Sequence, residues 1–280
     1  MDVPALLKQI AAAAAQDELL FPTGSAAVRL QRLLDDPDCS VAQLVPLVQA
    51  DPLLAARVVA VANSVAYHPS GHAISDVRSA VSRLGFDTLR VLAVAVVARQ
   101  LEGMAHGGAH RQMAARLWQH TAHVAALARI IARRVTRVDP ESAFFAGIIH
   151  ELGGFYLISR AENFPGLLSG KDGSLIAWEE GGAAAVGAAV LSRLKVPAGI
   201  QAAIEGLWAG YIALPPRTLA DTLLLADQLA PVESPLSELA GTGREGIATD
   251  IDLLLDDRTL SGILAESAAE VASLIEALRV

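Results

Sequence analysis

His120 and His123 stand three residues apart in the stretch Arg111 to Val135, where Leu117, Val124, Leu127, Ile131 and Val135 recur along one side. That period predicts a long helix whose two imidazoles project from similar faces. His150 and Glu151 close the next helical stretch, and Gly147 just before them permits close backbone approach. Imidazole and carboxylate are the donors with which a protein holds a divalent ion that activates water. Three better-known patterns fail here. His150-Glu151 opens like the zinc-protease pair of histidines one turn apart, but the second position is Gly154. Gly241-Thr242-Gly243-Arg244-Glu245-Gly246 has the letters of a dinucleotide-binding turn without the preceding apolar strand. Gly166 to Asp172 resembles a phosphate loop one residue short, with Asp172 where the magnesium-binding hydroxyl belongs.

The other polar residues read as ordinary surface or packing groups. His68, His72, His106 and His110 sit in or beside glycine-containing turns with no cysteine or acidic cluster near them. Arg129, Arg133, Arg134 and Arg137 form a basic edge on the long helix, expected to be solvated. Asn63-Ser64 is placed to fix a helix end through side-chain to backbone bonds. Trp118, Trp178 and Trp208 read as interhelical anchors. Cys39 is the single cysteine, so no internal disulfide or cysteine-based zinc site can form, which fits a reducing, cytoplasmic compartment.

Positioning these groups falls to helices. The 280 residues are 53% hydrophobic but only 4% aromatic, a texture of Ala, Leu and Val that suits close-packed helices and lacks the β-branched alternation of strands. About ten helices are expected and no confident strand. Asp51-Pro52 and Asp139-Pro140 each read as an N-cap followed by proline at the first helical position. Ser40 with Gln43 makes a capping box, and Pro46 should kink or shorten the helix that follows. Ser75 can open a helix that Gly85 ends, and Asp87 can open the next. The expected organisation is an amphipathic helix over 1–20, a helical subdomain over 21–105, a second over 106–230, and a linker with a C-terminal helix over 231–280. Pro231 to Gly246 carries the linker composition, and Leu264, Ala268, Val271, Ile275 and Leu278 form an apolar stripe in one helix near Thr259 to Leu278. That stripe must dock on the chain itself or on another. The net charge, 22 − 30 = −8, argues against a nucleic-acid-coating protein, and no membrane span can be drawn in the longest uncharged stretch, Val58 to Ser75.

Leu117-Trp118-Gln119-His120, Gly147-Ile148-Ile149-His150-Glu151-Leu152-Gly153 and Ala226-Asp227 resemble, in order, the three signatures of HD-superfamily phosphohydrolases. Asp51 to Ser64 and Ile74 to Gly85 look like the first and second signatures of the HDOD family, the HD-related output domains of bacterial signalling, and the agreement spans roughly residues 22 to 230. The resemblance implies an all-α signalling module acting through protein contacts. His120, His150, Glu151 and Asp227 would occupy the four ligand positions of an HD metal centre. Glu151 stands where the pattern has Asp, Gly154 replaces the Lys common in catalytic members, and no histidine follows His150; the region expected to carry paired histidines reads Ala203 to Trp208.

A hydrolytic site needs a metal to acidify water and usually a second cation to steady the phosphoryl charge. The expected state is therefore a degenerate centre without cofactor or catalysis, its four residues a hydrogen-bonded polar cluster. The alternatives are a phosphohydrolase or phosphodiesterase with one manganese, iron or magnesium ion, or a non-hydrolytic nucleotide sensor. Expected partners are signalling proteins: a regulatory kinase, a response regulator, a cyclic-dinucleotide enzyme or a second copy of the chain. DNA and membranes are not expected partners. Arg78 and Arg83 are the candidate contact residues.

Overall fold

The computed structural model describes residues 3–16, 26–67, 73–105, 108–163, 167–168, 178–194, 196–213, 215–240, 254–255 and 258–279. Helices account for nearly all of them. α1 (Val3–Gln16), α2 (Ala26–Leu34), α3 (Val41–Gln49), α4 (Pro52–Ala62) and α5 (Val77–Gly103) form the N-terminal half. α6 (Gly108–Ile131), α7 (Pro140–Ile149), α8 (Leu152–Arg160), α9 (Ala183–Arg193), α10 (Ala198–Ala209) and α11 (Leu219–Leu229) follow, then a short α12 (Pro235–Ala240) and a tail of α13 (Leu260–Glu266) and α14 (Ala268–Arg279). The strand content described is a two-residue antiparallel pair, Leu254–Leu255 with Arg258–Thr259.

Local signals set most boundaries. Leu54 N–H donates to the Asp51 carboxylate at 3.1 Å and Ser142 N–H to Asp139 at 2.7 Å, so both Asp-Pro starts act as caps. Gln43 reaches back to accept from Ser40 N–H at 2.9 Å. α3 runs through Pro46 to Gln49 instead of ending before it. The cap of α5 is Asp76, one residue after the expected Ser75, and Gly85 at φ 76° breaks the helix where the sequence places the break. Asn63 clamps Ile74, donating to its carbonyl at 2.7 Å and accepting from its N–H at 2.8 Å. His68, His72 and His106 and the motifs at 166–172 and 241–246 lie wholly or mostly outside the described residues.

Small residues let the helices meet backbone to backbone. A Cβ at Gly147 would lie 2.5 Å from Ala125 Cα, and one at Gly153 would lie 2.9 Å from Gly187 Cα, so α7 rests on α6 and α8 on α9 at distances that larger residues forbid. One contiguous apolar cluster runs from Leu6 to Leu278 and includes both halves, so the loop near 103–108 turns the chain without dividing its core. α1 packs on α9, far along the sequence. Pro140–Arg160 is the one described stretch long and apolar enough to cross a membrane, but 83% of its window is buried in the fold.

The tail docks in cis as two helices, with a turn at Ser267 interrupting the single helix expected. Leu274 and Leu278 are fully buried as α14 packs against α4 and α6, and Ser273 Oγ accepts from Val65 N–H at 2.9 Å. The basic edge is corrected here. Arg129 is only 7% exposed, binding Glu141 of α7 and Glu270 of α14 at 3.0 Å each, and Arg133 also pairs with Glu270. Arg129 lies over the Tyr67 ring at 4.4 Å, and the Tyr67 hydroxyl donates to Glu141 at 2.5 Å. The periodicity of α6 alone could not show this, because Glu270 is 141 positions away.

Burial, reinforced by the Glu141 charge, pushes the Tyr67 hydroxyl above its ordinary value of 10. Above pH 10 the unfolded chain loses this proton while the folded chain keeps it, so the contribution is fully present below pH 10 and falls as pH rises. Urea melts between about pH 8 and 11 should lose stability more steeply for the wild type than for Tyr67→Phe. Parallel curves would contradict that role.

Candidate functional site

Four elements converge on two imidazoles. His120 comes from the middle of α6, His150 caps the C-terminus of α7, Glu151 opens α8, and Asp227 lies near the end of α11. The ligand atoms of His120, His150 and Glu151 lie within 4.8 Å of one another, and Asp227 Oδ1 is 3.3 Å from His120 Nε2. The structure therefore brings together all four residues singled out in the sequence. His123 stands apart, its Nδ1 bonded to the Gln119 carbonyl at 2.7 Å.

Backbone carbonyls set the proton positions. His120 Nδ1 faces Val232 O at 2.8 Å and His150 Nδ1 faces Gly147 O at 2.8 Å. A carbonyl only accepts, so each Nδ1 carries hydrogen and each Nε2 is turned toward the centre. The two Nε2 atoms face each other at 3.3 Å. Burial opposes charge on His120, but the hydrogen bond and charge of Asp227, with Glu151 beyond, outweigh it and raise the pKa. Burial first, then the neighbouring His120, lowers His150 to about 4. Asp227 thus favours the charged form at His120, while burial disfavours it at His150. The donors also suit one divalent ion, because anchored Nδ1 atoms leave both Nε2 atoms for the centre and the three ligand atoms of His120, His150 and Glu151 lie within 4.8 Å of one another.

Glu151 and Gly154 fit as a pair. A Cβ at Gly154 would lie 2.8 Å from Glu151 Oε2 and 2.8 Å from Leu236 Cδ1, so the longer carboxylate takes the space that a side chain at 154 would use. Position 154 thus offers no cation, and the Glu151 carboxylate lies beside the point from which a side chain there would start. Beside the centre opens a cavity of about 250 Å³, whose polar wall includes His150, Glu151, Asp227, Glu233 and Ser234, and which Trp178 and Trp208 also line. No Lys or Arg lines it among the described residues.

The composition of 231–246 hid part of this wall. Pro235–Ala240 is helical with Leu236 buried, Arg116 pairs with Glu238 at 2.5 Å, and Val232 supplies the carbonyl that anchors His120. Ser234-Pro235 is the signal that could have marked it, since it repeats the punctuation of Asp51-Pro52. The contact candidates sit elsewhere, on α5. Arg78 is exposed; Arg83 is half-buried and donates to the Ala62 carbonyl at 3.2 Å, closing the end of α4.

The HDOD domain family matches residues 20–206, well over half of the 280 residues, and Asp227 lies beyond that span. No curated protein matches the chain. Among solved structures, a candidate metal-dependent phosphohydrolase from Shewanella amazonensis SB2B superposes with a TM-score of 0.70 at 19% identity, covering 99% of this chain and 100% of that one. An HDOD domain protein of unknown function from Geobacter sulfurreducens gives 0.56 at 21% identity, covering 90% of each chain. A candidate signal transduction protein from Marinobacter aquaeolei VT8 gives 0.58 at 20% identity, covering 100% of this chain and 67% of that one. These likenesses show a shared all-helical fold.

Proposed function

Because this chain belongs to the HDOD domain family, we propose that it is a cytoplasmic signalling output module that works through protein contacts and does not hydrolyse phosphoesters. The observation that carries the reading is the Glu151–Gly154 exchange. Phosphoryl transfer spreads negative charge over the equatorial oxygens and depends on cations aimed at them. Here position 154 carries no side chain, no Lys or Arg lines the cavity among the described residues, and Glu151, Asp227 and Glu233 make its wall acidic. An anionic nucleotide meets the same repulsion, which disfavours nucleotide sensing at this cavity. The signal transduction relative from Marinobacter supports a signalling role.

A mononuclear phosphohydrolase is the second reading, favoured by the proximity of the ligand atoms of His120, His150 and Glu151. With Asp227 these residues would hold manganese, iron or magnesium, and the bound ion would acidify a water. The chain's own residues would orient it through the carbonyls behind each imidazole, but no Lys or Arg among the described residues lines the cavity as a second cation.

The contact surface tests the signalling role. Arg78→Glu should reduce retention of kinases, response regulators or cyclic-dinucleotide enzymes at least about tenfold, with melting unchanged, as expected for an exposed interface charge. Arg83→Glu should also lower stability, because its guanidinium closes α4. Equal retention by folded Arg78→Glu would remove this surface from the account.

A further inference from the structure

We propose that α14 is a displaceable cover on a docking groove between α4 and α6, and that the groove receives an amphipathic helix of a signalling partner built like α14 itself. The proposal adds a second contact surface to the signalling reading and rests on it. What the groove accepts is defined by the tail seated in it. Glu270 reaches Arg129 and Arg133, and Leu274 and Leu278 follow four and eight positions on along the same face, both fully buried. The matching ligand is therefore a helix with one carboxylate and two leucines at that spacing, laid apolar face down.

The seam is built to open. α14 carries the packing on α4 and α6, while α13 packs on α14 and on the strand pair, so one helix holds the tail to these walls. Its release strands no buried charge. Arg129 keeps Glu141 at 3.0 Å and the Tyr67 ring at 4.4 Å, and the Arg133 side chain, 38% exposed, turns to water. Val65, itself 45% exposed, exchanges the Ser273 oxygen for solvent. A contact whose polar groups are satisfied in both states belongs among the segments that open below the global unfolding free energy. Both walls of the groove lie inside the family's span of 20–206 and the tail lies beyond it, so the groove belongs to the domain. Leu274 and Leu278 join the main apolar cluster, and the face they leave on release needs another occupant.

Hydrogen exchange and fluorescence anisotropy on the full chain provide the test, with a labelled synthetic peptide of residues 260–279 as the probe. In the wild type, amides of 268–279 should exchange by local opening while those of α6 and α7 stay protected. Glu270→Arg sets a third guanidinium against Arg129 and Arg133, and Leu274→Asp puts a charge into the apolar seam. Each should free the tail, leave α6 and α7 protected, and raise peptide affinity at least about tenfold over the wild type, whose own tail competes at high effective concentration. The peptide carrying Leu274→Asp should not bind. Wild-type tail amides as slow as those of α6, a tail still protected in both variants, peptide affinity equal in wild type and variants, absence of binding included, or equal binding of the Leu274→Asp peptide would overturn the proposal. Retention of partners by Arg78→Glu is scored separately, so failure of the signalling reading is distinguishable from failure of the groove.

Discussion

Replacing Arg129 with alanine is expected to destabilise the chain by about 3–5 kcal/mol, the range for breaking a buried ion pair by removing one partner. The guanidinium sits between Glu141 and Glu270, and it covers the Tyr67 ring, so its loss leaves two carboxylates facing each other in a largely dry space. The change also weakens the polar tie between α14 and α6, leaving Glu270 with Arg133. Tail residues 260–279 should become sensitive to limited proteolysis before the remainder of the chain does. Glu270→Gln should cost less, because Arg129 keeps Glu141. Urea denaturation gives the comparison, and a loss below about 1 kcal/mol for Arg129→Ala would place the pair among surface bridges of little weight.

The second large effect is at Gly147. Alanine there drives a methyl to 2.5 Å from Ala125 Cα and 2.9 Å from its nitrogen, against backbone that no rotamer can relieve. α6 and α7 must separate, at a cost of about 1–3 kcal/mol or more. These helices carry His120 and His150, and the Gly147 carbonyl is the acceptor for His150 Nδ1. The imidazole pair should come apart together with the packing. Nitrogen-15 spectra of the histidine rings should show the lowered pKa of His150 moving back toward that of a free imidazole. A stable Gly147→Ala protein with unchanged histidine titration would contradict the close approach.

What the sequence made legible was local. Asp51-Pro52, Asp139-Pro140 and Ser40 with Gln43 carry their own caps, and Gly85 carries its own break, so those boundaries follow from neighbours within a few residues. The all-helical class followed from an Ala-rich, aromatic-poor composition, which Gly147 on Ala125 and Gly153 on Gly187 turn into close crossings. The four residues of the centre were legible through resemblance, with Asp227 brought in from 77 positions beyond His150. Hidden were the features that need a distant partner. Arg129 reads as solvated until Glu270 is placed against it, and Glu233 with Ser234 reads as linker until α12 folds back over the cavity. Ser267 ends α13 inside an apolar stripe that gives no sign of interruption, because the stripe's spacing persists through the turn.

The most direct test of the central claim is steady-state hydrolysis by purified chain loaded with manganese, iron or magnesium, assayed on cyclic dinucleotides, nucleotides and a generic phosphodiester. With no Lys or Arg in the cavity wall among the described residues and three carboxylates in it, the proposed reading lacks the cation that usually supplies the largest catalytic contribution. The account predicts rates equal to those of His120→Ala and Asp227→Ala controls. Sustained turnover by the wild type that disappears in both variants, with their folding intact, would contradict it and establish the metal-dependent reading instead.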